Sequence, residues 1–205
     1  MKTFLKALPL FACLCVPYVQ AADAGKGKVI DAFNTLDAKT VKVQDLKAKI
    51  VSSPDPAHNK ALEMVIDFAK PGSYPRVIKS IPPGTIDPKK YSGVRFSFKS
   101  DTETKMAISL RVGVVGPDGR NPAYAVNVEG KPTWNEITIP FDKFKSFEQK
   151  TWKDGAQKVF PGGESIRPEE FAQIKEIHMV FSIENRGNAA TSQFLVDGLE
   201  LVPNP

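Results

Sequence analysis

The chain has 205 residues, of which 41% are hydrophobic and 9% aromatic, and it carries 28 Lys and Arg against 23 Asp and Glu. It is too apolar for a disordered chain, too short for a typical barrel enzyme, and too poor in Cys, with 2, for a disulfide scaffold. The length suits one or at most two domains, and the net charge of +5 raises the question of a nucleic-acid partner.

The first 21 residues have the pattern of a secretory signal peptide. A short positive start precedes an apolar run, and a small-x-small sequence predicts cleavage after Ala21, with Ala22 as the neighbouring alternative. The apolar run is shorter than the ~20 residues of a membrane span, which disfavours a retained anchor. Cys13 ends a sequence faintly similar to a lipoprotein box, but we rank lipidation below simple export.

Residues 22–205 are therefore predicted to form a single exported domain without cysteine. The lysines between Lys39 and Lys49 are separated by apolar residues, which is typical of a solvated strand face and not of a nucleic-acid patch. We expect a secreted or periplasmic monomer, with no nucleic-acid partner and no membrane span after signal cleavage.

Alternation of apolar and polar residues at period two dominates this domain and predicts nine or ten short strands. Pro- and Gly-rich turns separate them, which favours an all-β antiparallel sandwich or jelly roll. One short helical turn is predicted at 168–174, and 145–165 lacks strand periodicity and is predicted to be a long loop. The predicted strands are 28–33, 41–50, 61–68, 76–81, 94–98, 106–112, 124–128, 137–141, 177–183 and 194–202.

The residues needed for catalysis are scarce. There are 2 His, and no nucleophile elbow, phosphate-binding loop or paired-carboxylate glycosidase strand is present. His58 is interpreted as an exposed loop residue and His178 as a surface residue on the polar side of a strand. The sequence therefore predicts a protein that is not an enzyme.

Five segments, read in order, resemble the galactose-binding-like jelly rolls, among them carbohydrate-binding module family 11 and the complex I intermediate-associated protein family. The resemblance covers nearly all of 22–205 and implies the same jelly-roll fold. The segments are VIDAF at 29–33, YSGVRFSFKSD at 91–101, WNEITIPFDKF at 134–144, FAQIKEI at 171–177 and FLVDGLEL at 194–201.

The resemblance also implies one structural Ca²⁺. In the resembled modules, acidic residues in the first and last strands commonly hold this ion together with turn oxygens, and Ca²⁺ takes six to eight oxygen ligands. Carried over by position, Asp31 and Asp197 would be ligands and Asn59 a further oxygen donor. The alternative is that both aspartates only cap strand ends.

Sugar binding by such a fold uses a polar sheet face and loop aromatics that stack on pyranose rings. The predicted ligand-binding residues are Arg95, Arg111 and His178 on outward strand positions, with Trp152 and Tyr74 in loops. The expected function is non-catalytic binding of a glycan or polysaccharide. The alternative is an envelope protein-interaction or assembly module of the intermediate-associated type.

Overall fold

The computed structural model describes residues 27–53, 55–69, 73–113, 120–153, 156–181 and 190–205. The predicted signal peptide and the lipidation alternative at Cys13 lie outside the described residues. Within the described part, no helix is long and apolar enough to cross a membrane.

The described residues form fourteen strands and one short α-helix, α1, at Pro168–Phe171. The strands are β1 Lys28–Asp31, β2 Val41–Gln44, β3 Lys47–Ser52, β4 Lys60–Asp67, β5 Arg76–Ser80, β6 Tyr91–Ser100, β7 Lys105–Arg111, β8 Ala123–Glu129, β9 Asn135–Pro140, β10 Lys145–Ser146, β11 Gln149–Lys153, β12 Ala156–Phe160, β13 Glu176–Val180 and β14 Thr191–Pro203.

The strands form two six-stranded antiparallel sheets. Sheet A has the order β3-β4-β14-β6-β9, with β1 also paired to β14, and sheet B has the order β10-β8-β7-β13-β5-β2. Strand β14 takes two partners along one edge, β4 at Thr191–Val196 and β1 at Leu199–Leu201. Strands β11 and β12 form a separate two-stranded sheet.

The inner faces of the two sheets enclose one apolar core. The aromatic rings of Phe98 and Phe194 in sheet A stack with centroids 5.9 Å apart, and Phe181, just after β13 of sheet B, lies 4.3 Å from Phe194. All three side chains are fully buried. Burial of each such side chain stabilises the fold by roughly 1.5–3 kcal/mol, so the alternating apolar positions hold the sandwich together.

The predicted antiparallel β-sandwich is confirmed, but three segments differ from prediction. The predicted strand 41–50 is two strands, because the chain reverses at Asp45, whose φ is 54°, and β2 joins sheet B while β3 joins sheet A. The predicted loop 145–165 contains β10, β11 and β12. The helical turn predicted at 168–174 is present but shorter, as α1.

Candidate ligand-binding groove

Several side chains at the centre of the outer face of sheet B are short. In β7, Met106, Ile108 and Leu110 point into the core and are fully buried, so the alternate residues of this strand face outward. Lys105 and Arg111 end this outward row, and several of the outward residues between and beside them on β7 and β8 are small. The small residues are Ala107, Ser109, Ala123 and Ala125.

Two adjoining depressions lie on this face and share Arg111 and Asn121, so we treat them together as the groove. The first, the His178 depression, is lined by Arg76, Arg111, Gly113, Asn121, Lys175, Glu176 and His178. The second, the Phe147 depression, is lined by Arg111, Arg120, Asn121, Pro122, Ala123, Ser146, Phe147, Glu148, Gln149, Phe160 and Pro161.

Strand pairing brings the polar residues of the His178 depression together. Glu176 of β13 lies directly opposite Arg111 of β7, and His178 lies opposite Ser109. The same face of β5, on the other side of β13, carries Arg76. Polar side chains that are far apart in the sequence therefore meet on three neighbouring strands.

The imidazole of His178 is 5% exposed, and its Nε2 lies 2.9 Å from Glu176 Oε2. Burial lowers the pKa of His178 below its ordinary value of 6.5, although the hydrogen bond to Glu176 acts in the opposite direction. The neutral ring then donates from Nε2 to the carboxylate, a tautomer assigned from this hydrogen bond. Its Nδ1 is left as an acceptor.

Within the described residues, four buried side-chain polar atoms have no hydrogen-bond partner, and three of them belong to this face. They are Ser109 Oγ, Arg111 Nε and His178 Nδ1; the fourth is Ser73 Oγ, next to Tyr74. A buried polar group without a partner costs roughly 1–3 kcal/mol, so such groups are rare and need an explanation. A ligand that supplies the missing partners is one.

Aromatic side chains border both depressions. Tyr74 is 42% exposed, and the Arg76 guanidinium lies 5.1 Å from the centre of its ring. Arg76 also donates from Nε and Nη2 to Gln44 Oε1 at 2.9 and 2.7 Å, which fixes its position. At the other end, Phe147 is 57% exposed. Exposed rings beside polar groups provide surfaces on which a sugar ring can stack.

A buried ion network supports the Phe147 depression. Arg120 donates from Nη1 to Glu170 Oε1 at 2.9 Å and from Nη2 to Glu164 Oε2 at 3.0 Å. The Tyr124 hydroxyl also donates to Glu170, and burial, followed by this hydrogen bond, raises the pKa of Tyr124 to about 12. Since the charge of Arg120 is already neutralised by two carboxylates, this residue has a supporting role in the groove wall.

Solved carbohydrate-binding modules have a similar fold. The family 11 module of the cellulosomal cellulase Lic26A-Cel5E of Clostridium thermocellum matches with a TM-score of 0.62 at 19% identity, over 87% of this chain and 95% of that chain. A family 11 module from Clostridium thermocellum in complex with a β-1,3-1,4-mixed-linked tetrasaccharide matches with a TM-score of 0.61 at 19% identity, over 85% and 94%. A family 30 module matches with a TM-score of 0.58 at 8% identity, over 87% and 99%.

The chain has the jelly-roll fold of carbohydrate-binding modules. No protein-family model matches it, and no curated protein sequence matches it significantly. The part of the predicted resemblance that concerns family 11 is therefore confirmed for the fold of this carbohydrate-binding-module-like domain. None of the similar structures named here is an intermediate-associated protein, so that part of the resemblance rests on the sequence segments alone.

Of the five residues predicted to bind ligand, Arg111 and His178 lie in the groove and Tyr74 lies beside it. Arg95 does not, because β6 belongs to sheet A, where Arg95 is paired with Glu200. The expectation that Arg95 and Arg111 share one sheet face is therefore wrong. Trp152 lies in β11, and its side chain is outside the described part of the structure.

The prediction of His178 as a surface residue is also wrong. The residue does point away from the core, but neighbouring side chains cover its ring. Sequence reasoning missed Arg76, Glu176 and Phe147. A signal existed for Glu176, which is two residues before His178 on the same face of β13. Arg76 and Phe147 could not be assigned to this face before the strand order was known.

The predicted calcium ligands each have another partner. Asp31 Oδ2 lies 2.7 Å from Lys79 Nζ, and Asp197 Oδ2 lies 3.0 Å from His58 Nδ1. The contact described for Asn59 is made by its backbone oxygen, which accepts from Ser53 N at 3.1 Å. No group of three or more His, Cys, Asp or Glu that could hold a metal occurs among the described residues. As arranged, these residues do not fit a calcium site.

His58 is not the exposed loop residue that the sequence predicts. It ends a 3₁₀ turn at Pro56–His58, and its side chain is only 19% exposed. Its ring stacks on Trp134 with centroids 4.3 Å apart. The Asp197 carboxylate and the Trp134 ring together fix this histidine against sheet A, whereas the groove lies on sheet B.

Proposed function

We propose that the chain is an exported, non-catalytic module that binds a glycan in the groove on the outer face of sheet B. The observation that carries the proposal is the set of buried polar atoms without partners, Ser109 Oγ, Arg111 Nε and His178 Nδ1. These atoms have no exposed surface in the arrangement described here, so a sugar reaches them only when the side chains that cover them turn aside. Its hydroxyls, which donate and accept hydrogen bonds, then supply the missing partners.

The fold supports this proposal. One of the similar structures is a family 11 module in complex with a mixed-linked tetrasaccharide. In this chain, the small residues of β7 and β8 provide the floor, and Tyr74 and Phe147 provide exposed rings at opposite ends. A groove with polar groups at its centre and aromatic rings at its ends suits a chain of several sugar units.

The carboxylates of the groove are poorly suited to glycoside cleavage. Glycosidases use two carboxyl groups that flank the scissile bond, one of them an acid with a raised pKa. Here Glu176 is held by His178, and Glu148 lies 3.2 Å from Lys150 Nζ with 58% of its side chain exposed. We therefore propose binding without hydrolysis, and release of reducing sugar from a bound polysaccharide would contradict it.

Affinity gel electrophoresis against a panel of plant, algal and bacterial polysaccharides tests binding. We expect at least one polysaccharide to retard the protein, and we expect Tyr74→Ala and Phe147→Ala to reduce the retardation. Val65→Ala, which truncates an exposed side chain of sheet A, is the matched control. Retardation by no polysaccharide would refute the proposal and leave the predicted envelope-protein partner to be tested by pull-down from envelope extract.

Arg111→Gln and Arg95→Gln decide which sheet carries the site. Each removes one guanidinium from an outward strand position, the first in sheet B and the second in sheet A. We expect only Arg111→Gln to weaken binding. The opposite result would place the site on sheet A.

Export is tested separately by expressing the full chain and measuring the mass of the protein recovered from the periplasm or medium. We expect cleavage after Ala21. A protein retained with its first 21 residues would contradict a cleaved signal, and a lipid-modified product at Cys13 would favour the alternative.

A further inference from the structure

The His178 depression carries more positive than negative charge. Among the described residues that line it, Arg76, Arg111 and Lys175 contribute three cations, and Glu176 contributes the single carboxylate. His178 adds no charge near neutral pH, because burial keeps its pKa below 6.5. The lining therefore has an excess of cations, which favours an anionic ligand over a neutral one.

The cations of this depression have no carboxylate partner within ion-pair distance among the described residues. Arg76 is bound to the neutral amide of Gln44, and the single carboxylate, Glu176, is hydrogen-bonded to His178. This differs from Arg120 at the other end of the groove, which is paired with two glutamates.

Arg111 has the strongest requirement for a partner. It is part-buried, its Nε has no exposed surface and no hydrogen-bond partner among the described residues, and burial lowers the pKa of its guanidinium. A desolvated cation is stabilised most by an anion that accepts two hydrogen bonds from the guanidinium, as a carboxylate or a sulfate does.

Lys175 reaches the depression because of a glycine. Gly113 has φ of 92°, and a Cβ at this position would lie 2.8 Å from Lys175 Nζ. The absence of a side chain lets the lysine pack across Gly113, next to Arg111, whose backbone oxygen accepts from Lys175 N at 3.0 Å. The ammonium group and the two guanidinium groups therefore line one depression.

We propose that the groove binds an acidic polysaccharide, with the carboxylate or sulfate of one sugar seated among Arg76, Arg111 and Lys175. The inference rests on the proposed function, since it names the class of glycan that the same groove takes. Neighbouring sugars of the chain would contact Tyr74 on one side and the Phe147 depression on the other.

Titration calorimetry with matched polysaccharides tests the charge requirement at physiological salt. Polygalacturonate is compared with its methyl-esterified form, and dextran sulfate with dextran, so that within each pair the charge differs on the same backbone. We expect the acidic member of at least one pair to bind about tenfold more tightly than its neutral partner. The pair that shows the difference identifies carboxylate or sulfate as the ligand group.

Two variants that each remove one positive charge distinguish binding at the groove from general attraction between a basic protein and a polyanion. We expect Arg111→Gln to lower the affinity about tenfold. Lys60→Gln removes one exposed positive charge from sheet A and should change it less than about twofold. Equal losses would overturn the inference, and thermal unfolding of each variant checks that the fold is intact.

The remaining outcomes are distinguishable. Equal or tighter binding of the neutral member in both pairs would overturn the acidic preference and leave glycan binding in place. Binding of none of these four polymers would also overturn the acidic preference, and the wider panel described above would then decide whether glycan binding itself fails.

Discussion

The outward arginines of the two sheets, Arg95 on sheet A and Arg111 on sheet B, differ in whether their charge is paired. On sheet A, Arg95 is paired with Glu200, and Lys49 Nζ lies 3.0 Å from Glu63 Oε2. On sheet B, Arg111 Nε is buried and has no hydrogen-bond partner among the described residues. Paired charges stabilise the folded chain alone, whereas unpaired ones leave binding capacity for a ligand. The difference distinguishes a structural face from a candidate binding face.

The buried network below one end of the groove should show the largest effect on stability. Glu170→Ala removes a carboxylate whose side chain is 4% exposed and leaves Arg120, 9% exposed, with Glu164 as its remaining carboxylate among the described residues. We expect a loss of about 3 kcal/mol in the free energy of unfolding, measured by urea denaturation.

The exposed pair between Lys105 and Glu129 is the control for that measurement. Its side chains are 49% and 72% exposed, so Glu129→Ala should cost less than about 0.5 kcal/mol. Similar losses in Glu170→Ala and Glu129→Ala would mean that the Arg120 network contributes no more than a surface ion pair.

Arg95→Met and Arg111→Met should affect the free energy of unfolding differently. Arg95→Met breaks the ion pair with Glu200 and should lower the free energy of unfolding by about 0.5–1 kcal/mol. Arg111→Met removes a desolvated guanidinium with an unpartnered Nε and should leave stability unchanged or raise it by up to about 1 kcal/mol. A clear destabilisation by Arg111→Met would mean that this residue is structural.

His178 should make stability depend on pH. Because its pKa in the folded protein is lowered from 6.5, the unfolded chain takes up the proton first as pH falls. The folded state therefore keeps its full stability above about pH 6.5 and loses some as the pH drops through that value and below. The imidazole faces Glu176, Arg111 and Arg76, and the two arginines oppose its protonation.

Denaturant melts at several pH values check this linkage. Between pH 7 and pH 5, we expect the free energy of unfolding to fall less in His178→Gln than in the parent chain. His58→Gln is the control, and it should still show the part of the fall that His178 causes. The idea fails if His178→Gln and the parent chain show the same dependence on pH.

The smallest expected effect concerns the calcium predicted from the resemblance. Lys79 Nζ contacts Asp31 at 2.7 Å and joins sheet B to β1 of sheet A. We expect chelator to leave the melting temperature unchanged, whereas Lys79→Met lowers it by separating the two sheets at this point. A drop in melting temperature on chelation, reversed by Ca²⁺ and absent in Asp197→Ala, would restore the calcium prediction.

The strand predictions succeeded where one face of a strand is buried, as in β6, β7 and β14, because a buried face imposes strict alternation. They failed at 41–50, where a reversal at Asp45 separates two strands with similar composition. They also failed at 149–160, where β11 and β12 pair with each other and not with either main sheet. Their alternation is weak because the hairpin lies apart from the core.

The sequence by itself determined the all-β class, the inward and outward positions of most strands, and the small number of groups available for chemistry. These properties follow from local periodicity and composition. Only the tertiary structure decided that Arg111, Arg76 and His178 share a face while Arg95 lies on the other sheet. The order of strands depends on pairing between residues far apart in the chain, and one sequence contains no periodic signal for that pairing. The same long-range pairing brings Lys79 to Asp31 and leaves Arg111 Nε without a hydrogen-bond partner among the described residues.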